Sequence, residues 1–144
     1  MKFKNPILII LIFWGCEPQL PPYTVPLIPF DDFTINLSLA RYNDISIEGR
    51  AMPIEGGVRG IILYHGENNN YIAYERNCSY QPEDACATVS IDQTQLFMTD
   101  ACCGSSFSFT SGDPIAGPAF YPLRRYRTSL DGNLLTITDE PIDF

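Results

Sequence analysis

The chain has 144 residues, with 9 basic residues, 17 acidic residues and a single histidine, for a formal charge of −8. That length allows one domain. An acidic surface repels phosphates, which excludes nucleic acid as a partner and loose electrostatic docking as the route to an anionic membrane.

The first residues are basic (Lys2 and Lys4) and run into an apolar stretch from Ile7 to Trp14, closed by Gly15 and Cys16. The stretch is shorter than the roughly 20 residues needed to cross a bilayer. Its order of basic start, apolar run and small residue marks a secretory signal over residues 1–15. The Gly15-Cys16 pair resembles a bacterial lipobox, although Phe13 and Trp14 are bulkier than that motif usually carries. The resemblance implies lipid attachment at Cys16, and so a lipoprotein of the bacterial cell envelope, held to a membrane and facing the periplasm or the exterior. Each buried acyl CH₂ contributes about 0.8 kcal/mol to such an anchor. Both lysines belong to the signal, so the mature chain has 9 − 2 = 7 basic residues against 17 acidic ones, a charge of −10.

Residues 16–30 form a spacer carrying Pro18, Pro21, Pro22, Pro26 and Pro29. Proline fixes φ and removes backbone donors, so this segment is extended and semi-rigid. Residues 31–144 are the folded domain. Phe33, Ile35, Leu37 and Leu39 alternate with polar residues, a period of two that predicts a half-buried strand, and Ile45 and Ile47 continue it. Val58 to Tyr64 and Tyr71 to Tyr74 predict a hairpin around His65-Gly66-Glu67-Asn68-Asn69-Asn70, whose residues tolerate positive φ. Short strands are predicted at 88–91, 95–99, 107–109 and 134–138, the last after an Asp131-Gly132-Asn133 turn. No stretch shows helical periodicity. The fold class is all-β, a small antiparallel domain built as a sandwich or a small barrel.

Four cysteines remain after Cys16: Cys78, Cys86, Cys102 and Cys103. An even number in a small exported domain reads as disulfides, with three possible pairings. Cys102 and Cys103 are adjacent, and neighbours on an extended loop point to opposite faces. That is awkward for a metal centre, whose ligand pairs usually stand two to four residues apart. Vicinal cysteines can also form a strained, reducible bond, which makes thiol–disulfide exchange an alternative role. Arg124, Arg125 and Arg127 form a cationic cluster expected to pair with nearby acids.

The segment Cys102-Cys103-Gly104-Ser105-Ser106-Phe107, followed by Gly112-Asp113-Pro114-Ile115-Ala116-Gly117-Pro118-Ala119 and Pro122-Leu123-Arg124-Arg125-Tyr126, resembles the Rieske iron–sulfur domain. The likeness spans residues 58–138. It implies a fold of three small antiparallel sheets and a [2Fe–2S] centre held between two loops. Carried over by position, the four ligands of that family fall on Cys78, Tyr80, Asp100 and Cys103. A Rieske centre needs two thiolates and two imidazoles, and the only histidine, His65, lies in the predicted hairpin loop. The expected state is therefore without cofactor, with a [2Fe–2S] electron carrier using other ligands as the alternative. The resemblance also implies a disulfide between the second cysteines of the two loops, Cys86 and Cys102. Cys78 and Cys103, at former ligand positions, would then form a second bridge if they come close enough. The role expected is a non-enzymatic binding or scaffold module, with an envelope protein or a redox protein as partner.

Overall fold

The computed structural model describes residues 22–23 and 25–142. The signal segment, Cys16 and the first part of the spacer lie outside the described residues. Ten strands follow in chain order: β1 Phe33–Asn36, β2 Ala51–Ile54, β3 Ile61–His65, β4 Tyr71–Glu75, β5 Val89–Ile91, β6 Met98–Asp100, β7 Ser106–Phe107, β8 Pro114–Ala116, β9 Arg125–Asp131 and β10 Leu134–Ile142. There is no α-helix among the described residues, only single 3-10 turns, and no helix is long and apolar enough to cross a membrane.

The strands pair antiparallel into a six-stranded sheet, β1-β10-β9-β4-β3-β2, and a four-stranded sheet, β5-β6-β7-β8. Three sheets were expected. The larger one is two three-stranded units, β1-β10-β9 and β4-β3-β2, joined where Ala73 faces Tyr126 and Tyr74 faces Arg125. That two-residue seam closes what would otherwise be two edges with unpaired backbone groups.

The Ile61-Ile62-Leu63 run is buried on both faces of β3, as an uninterrupted apolar strand must be. Ile61 and Leu63 point into one core with Ile35, Ile45, Tyr126, Leu135 and Ile137. Ile62 points into the other with Tyr74, Cys78, Val89, Met98, Phe107 and Leu123. The wall of β3 and β4 therefore separates a structural core from the core that underlies the cysteines. The predicted hairpin joins these strands, with Asn68 and Asn69 both at φ 57°. The β9–β10 turn falls at 132–133 as predicted, with Gly132 at φ 57°.

Three expectations are corrected. The first strand stops at Asn36, because the Asn36 side chain accepts from the Ser38 amide at 2.9 Å and its carbonyl from the Leu39 amide at 3.1 Å. Ile45 is buried from a 3-10 turn, not a strand, and Ile47 is exposed. The strand read from Val58 begins only at Ile61, because the Val58 and Arg59 amides bond instead to the Glu75 carboxylate, at 2.7 and 3.1 Å. Three strands were not predicted: β2, β8 and β9. Pro53 masks β2, and its missing donor is tolerated because β2 is a sheet edge.

The last spacer residues lie against the domain. Val25 is buried, and the Arg124 guanidinium donates to the carbonyls of Val25, at 2.6 Å, and Pro26. Arg127 pairs with Glu140 at 2.7 Å on the surface. The arginines thus diverge rather than forming one anion site.

Burial raises the phenols of Tyr74 and Tyr126 above the ordinary tyrosine value of 10.0, with the Glu75 carboxylate adding to the rise at Tyr126. Burial also pushes Tyr23 up to about 12, against the pull of Arg124. A raised folded value means the unfolded chain binds fewer protons once pH passes about 10. The tyrosine contribution is therefore complete below pH 10 and lost progressively above it. With the buried Cys78 thiol raised above 9.0 as well, urea midpoints should begin to fall near pH 9 and fall further toward pH 11; a flat profile to pH 11 contradicts this packing.

Candidate functional site

Three loops meet at one end of the four-stranded sheet. The first leaves β4, and Asn77 bridges to Thr88 across its base. The Cys78 amide donates to the Ala87 carbonyl at 3.2 Å. Cys78 is thereby held at the floor of the loop, fully buried. The bulge of this loop, residues 79–86, is held by Arg59, whose guanidinium donates to the carbonyls of Asp84 and Ala85, both at 2.6 Å.

The second loop connects β6 to β7 and begins at Asp100, the last residue of β6 and fully buried. The Asp100 amide donates to the Ser105 carbonyl at 2.9 Å, and the Gly104 amide donates to the Asp100 carbonyl at 2.8 Å. This tight turn puts Gly104 at φ +76°, a conformation that favours glycine. The turn brings the Cys103 sulfur back over Asp100, 3.5 Å from its Oδ2.

The third loop is the Gly-Pro-Ala segment. Ser105 Oγ accepts from the Ala119 amide at 3.1 Å, and Ser79 Oγ donates to the Tyr121 carbonyl at 2.6 Å. Gly117 lies so close that a Cβ there would stand 2.5 Å from Ser105 Cα and 2.8 Å from the Gly104 carbonyl, at a φ of +90°. Gly117→Ala should therefore cost about 2 kcal/mol or more and make Cys103 react faster with alkylating agents. Unchanged reactivity and an unchanged denaturation midpoint would show that the loop accommodates the methyl group.

The donors Cys78, Asp100 and Cys103 lie within 4.8 Å of one another. The two sulfurs are 3.8 Å apart, and Ser105 Oγ is 3.1 Å from the Cys103 sulfur. Burial first, and then Asp100, pushes the Cys78 thiol well above the ordinary thiol range, while the Tyr80 amide pulls the other way. Tyr80 is half-buried and packs on the same core as Cys103. Cys86 is bonded to Cys102. The second bridge, expected between Cys78 and Cys103, is not formed here. Both are free thiols, in contact at 3.8 Å where a bond measures about 2.05 Å. The Cys103 sulfur also lies 3.1 Å from Ser105 Oγ and 3.5 Å from Asp100 Oδ2. With Cys102 committed to Cys86, a vicinal Cys102–Cys103 bond is not assembled either.

His65 lies on β3, in the structural core. It stacks on Tyr71 at 4.2 Å, and its Nδ1 donates to the Ile45 carbonyl at 2.9 Å. It does not reach the cysteine loops. A separate cleft, walled by Phe30, Phe33, Arg41, Tyr42 and Met52, opens on that same core and has no cysteine or histidine in its lining. Ser105, Arg59 and Glu75 were not singled out from sequence. Ser105 could have been, since it stands inside the Cys-Gly-Ser motif; the other two carry no local signal.

No sequence-family description matches the chain, and no characterised protein sequence does. Solved structures do match. The cyanobacterial plasma membrane Rieske protein PetC3 from Synechocystis PCC 6803 superimposes with a TM-score of 0.51 at 20% identity, over 61% of this chain and 85% of that one. The fold is Rieske-like. A complex of the oxygenase and ferredoxin of carbazole 1,9a-dioxygenase aligns with a TM-score of 0.49 at 15% identity, over 67% of this chain and 87% of that one. The ferredoxin of carbazole 1,9a-dioxygenase from Nocardioides aromaticivorans IC177 gives 0.45 at 17% identity, over 64% and 86%.

The donors of this Rieske-like domain do not fit the Rieske cluster. Two imidazoles are required on one iron, and the chain's one histidine is placed in the other core. A four-thiolate set of Cys78, Cys86, Cys102 and Cys103 is not assembled either, because Cys86 and Cys102 are bonded to each other. Cys78 and Cys103 fall at positions that would serve opposite irons, and their sulfurs lie 3.8 Å apart.

Proposed function

We propose that this protein is an envelope lipoprotein whose Rieske-like domain works without a [2Fe–2S] centre, as a disulfide-locked binding or scaffold module. The observation that carries this reading is the donor set at the loop tips. Cys78, Asp100 and Cys103 lie within 4.8 Å of one another, and no imidazole is among them. Lipid at Cys16 would hold the chain to the membrane, and the proline spacer would lift the domain toward an envelope protein partner. The acidic surface, −10 once the signal is removed, supports a protein partner rather than a nucleic acid.

Freshly purified full-length protein should be colourless, with substoichiometric iron and no acid-labile sulfide. Brown protein with two irons per chain would establish the electron carrier instead. For the anchor, Cys16→Ser should move the protein from the membrane fraction to the soluble envelope fraction and abolish palmitate incorporation. Retention in the membrane with unchanged labelling would refute lipidation at Cys16.

A further inference from the structure

We infer that Cys78, Asp100 and Cys103 form a site for one thiophilic divalent cation of the zinc class, with a fourth coordination position left open on the Cys103 side. This inference rests on the cluster-free reading above, since the three donors cannot serve one ion and a binuclear centre at once.

Three observations carry it. The first is spacing. Metal–sulfur bonds of about 2.3 Å and metal–oxygen bonds of about 2.0–2.2 Å set at tetrahedral angles place two sulfurs about 3.8 Å apart, and a sulfur and an oxygen about 3.5–3.7 Å apart. The Cys78 and Cys103 sulfurs are 3.8 Å apart, and the Cys103 sulfur and Asp100 Oδ2 are 3.5 Å apart. Cys78 and Asp100 close the third edge within 4.8 Å.

The second is loop chemistry. Adjacent Cys102 and Cys103 made an awkward ligand pair, but Cys102 is bonded to Cys86. The pair the loop presents is Asp100 and Cys103, separated by two residues and followed by Gly104 in a left-handed turn. That is the short spacing from which metal loops deliver two ligands to one ion. Asp100 and Cys103 each also receive an amide from two residues further on. Cys102 N–H donates to Asp100 Oδ1 at 2.8 Å, and Ser105 N–H to the Cys103 sulfur at 3.4 Å. Such outer contacts orient ligands and favour their anionic forms.

The third is charge. Asp100 is fully buried, and neither a lysine, an arginine nor a histidine approaches it among the described residues. Buried carboxylates are ordinarily paired or coordinate a metal. Binding would displace the two thiol protons to solvent, and the sum of one carboxylate, two thiolates and a dication is −1. Cys78 and Asp100 are fully buried while Cys103 is partly exposed, so the remaining position faces outward.

The test uses full-length protein in detergent, isolated without oxidant so that Cys78 and Cys103 stay as thiols, stripped of metal and titrated with Co²⁺. One equivalent should produce a near-ultraviolet thiolate-to-cobalt charge-transfer band and intense visible bands of a tetrahedral site, both abolished by one equivalent of Zn²⁺. Cys103→Ser and Cys78→Ser should each remove the charge-transfer intensity of one thiolate. Each should also weaken Zn²⁺ binding beyond the roughly 10–100-fold that loss of an outer-shell partner produces, with Ser105→Ala falling inside that range. Circular dichroism confirms that each variant is folded; Ser105→Ala leaves all three donors in place if a cysteine variant is not. Iron-free protein with two free thiols and no cobalt spectrum would sink the metal site while leaving the cluster-free reading intact. Cobalt bands unaltered in both cysteine variants, or a Cys78–Cys103 bond in protein isolated without oxidant, would sink it as well. Iron with acid-labile sulfide in the untreated protein would overturn both.

Discussion

Glu75→Ala should lower the stability of the domain by about 3–5 kcal/mol, with a fall in melting temperature of roughly 10–20 °C. Glu75 ends β4 fully buried, and its carboxylate accepts four hydrogen bonds. Oε2 takes the Val58 amide and the Tyr126 hydroxyl, each at 2.7 Å. Oε1 takes the Asn77 amide at 2.7 Å and the Arg59 amide at 3.1 Å. One carboxylate therefore fastens the loop before β3, the first cysteine loop and β9 to the end of β4. Truncation leaves the Asn77 amide and the Tyr126 hydroxyl buried without a partner, at about 1–3 kcal/mol for each stranded group. The turn before β3 is shaped around this carboxylate: Gly57, at φ +62°, has no room for a Cβ, which would run into Glu75 and the Tyr126 hydroxyl. Glu75→Gln keeps the volume and one acceptor, so its loss should be about half as large. Denaturant midpoints at neutral pH measure both, and an alanine variant within about 1 kcal/mol of the parent would mean that water replaces the carboxylate.

Replacing Cys86 and Cys102 together by alanine should cost about 3 kcal/mol. Their bond closes a loop across a sequence separation of 16, which restricts the unfolded chain. The folded loop keeps a second fastening in the Arg59 guanidinium. The loss should therefore appear in the denaturation midpoint, with near-ultraviolet circular dichroism of the folded variant almost unchanged. Reduction of the parent protein should reproduce the same shift. If the reduced protein is as stable as the oxidised one, the bond is not a structural lock, and the loop is held by Arg59 and the Cys78–Ala87 pairing alone.

Legibility in the sequence was uneven, for identifiable reasons. β3, β4 and their hairpin were readable because a doubly buried strand needs a continuous apolar run and its loop needs residues that accept positive φ. β2 was hidden by Pro53, whose edge position cannot be known before the sheet order is known. β9 was obscured by its arginines, which were read as a charge cluster although Tyr126, Thr128 and Leu130 alternate with them. Of the site, Cys78, Asp100, Cys103 and the Cys86–Cys102 bond were named from the motif. That the Cys78 and Cys103 sulfurs stand in contact without bonding was not.

Residue types and their period settled the all-β class, the hairpins and the count of one histidine, because these depend only on chemistry along a few neighbouring residues. Which donors converge was decided by the packing of two sheets. Asp100 joins Cys78 only because β6 pairs with β5 beneath the first loop. Glu75 meets the Val58 and Arg59 amides only because β4 lies beside β3. Such contacts join positions far apart in the chain, and a linear pattern carries no term for distance across a fold.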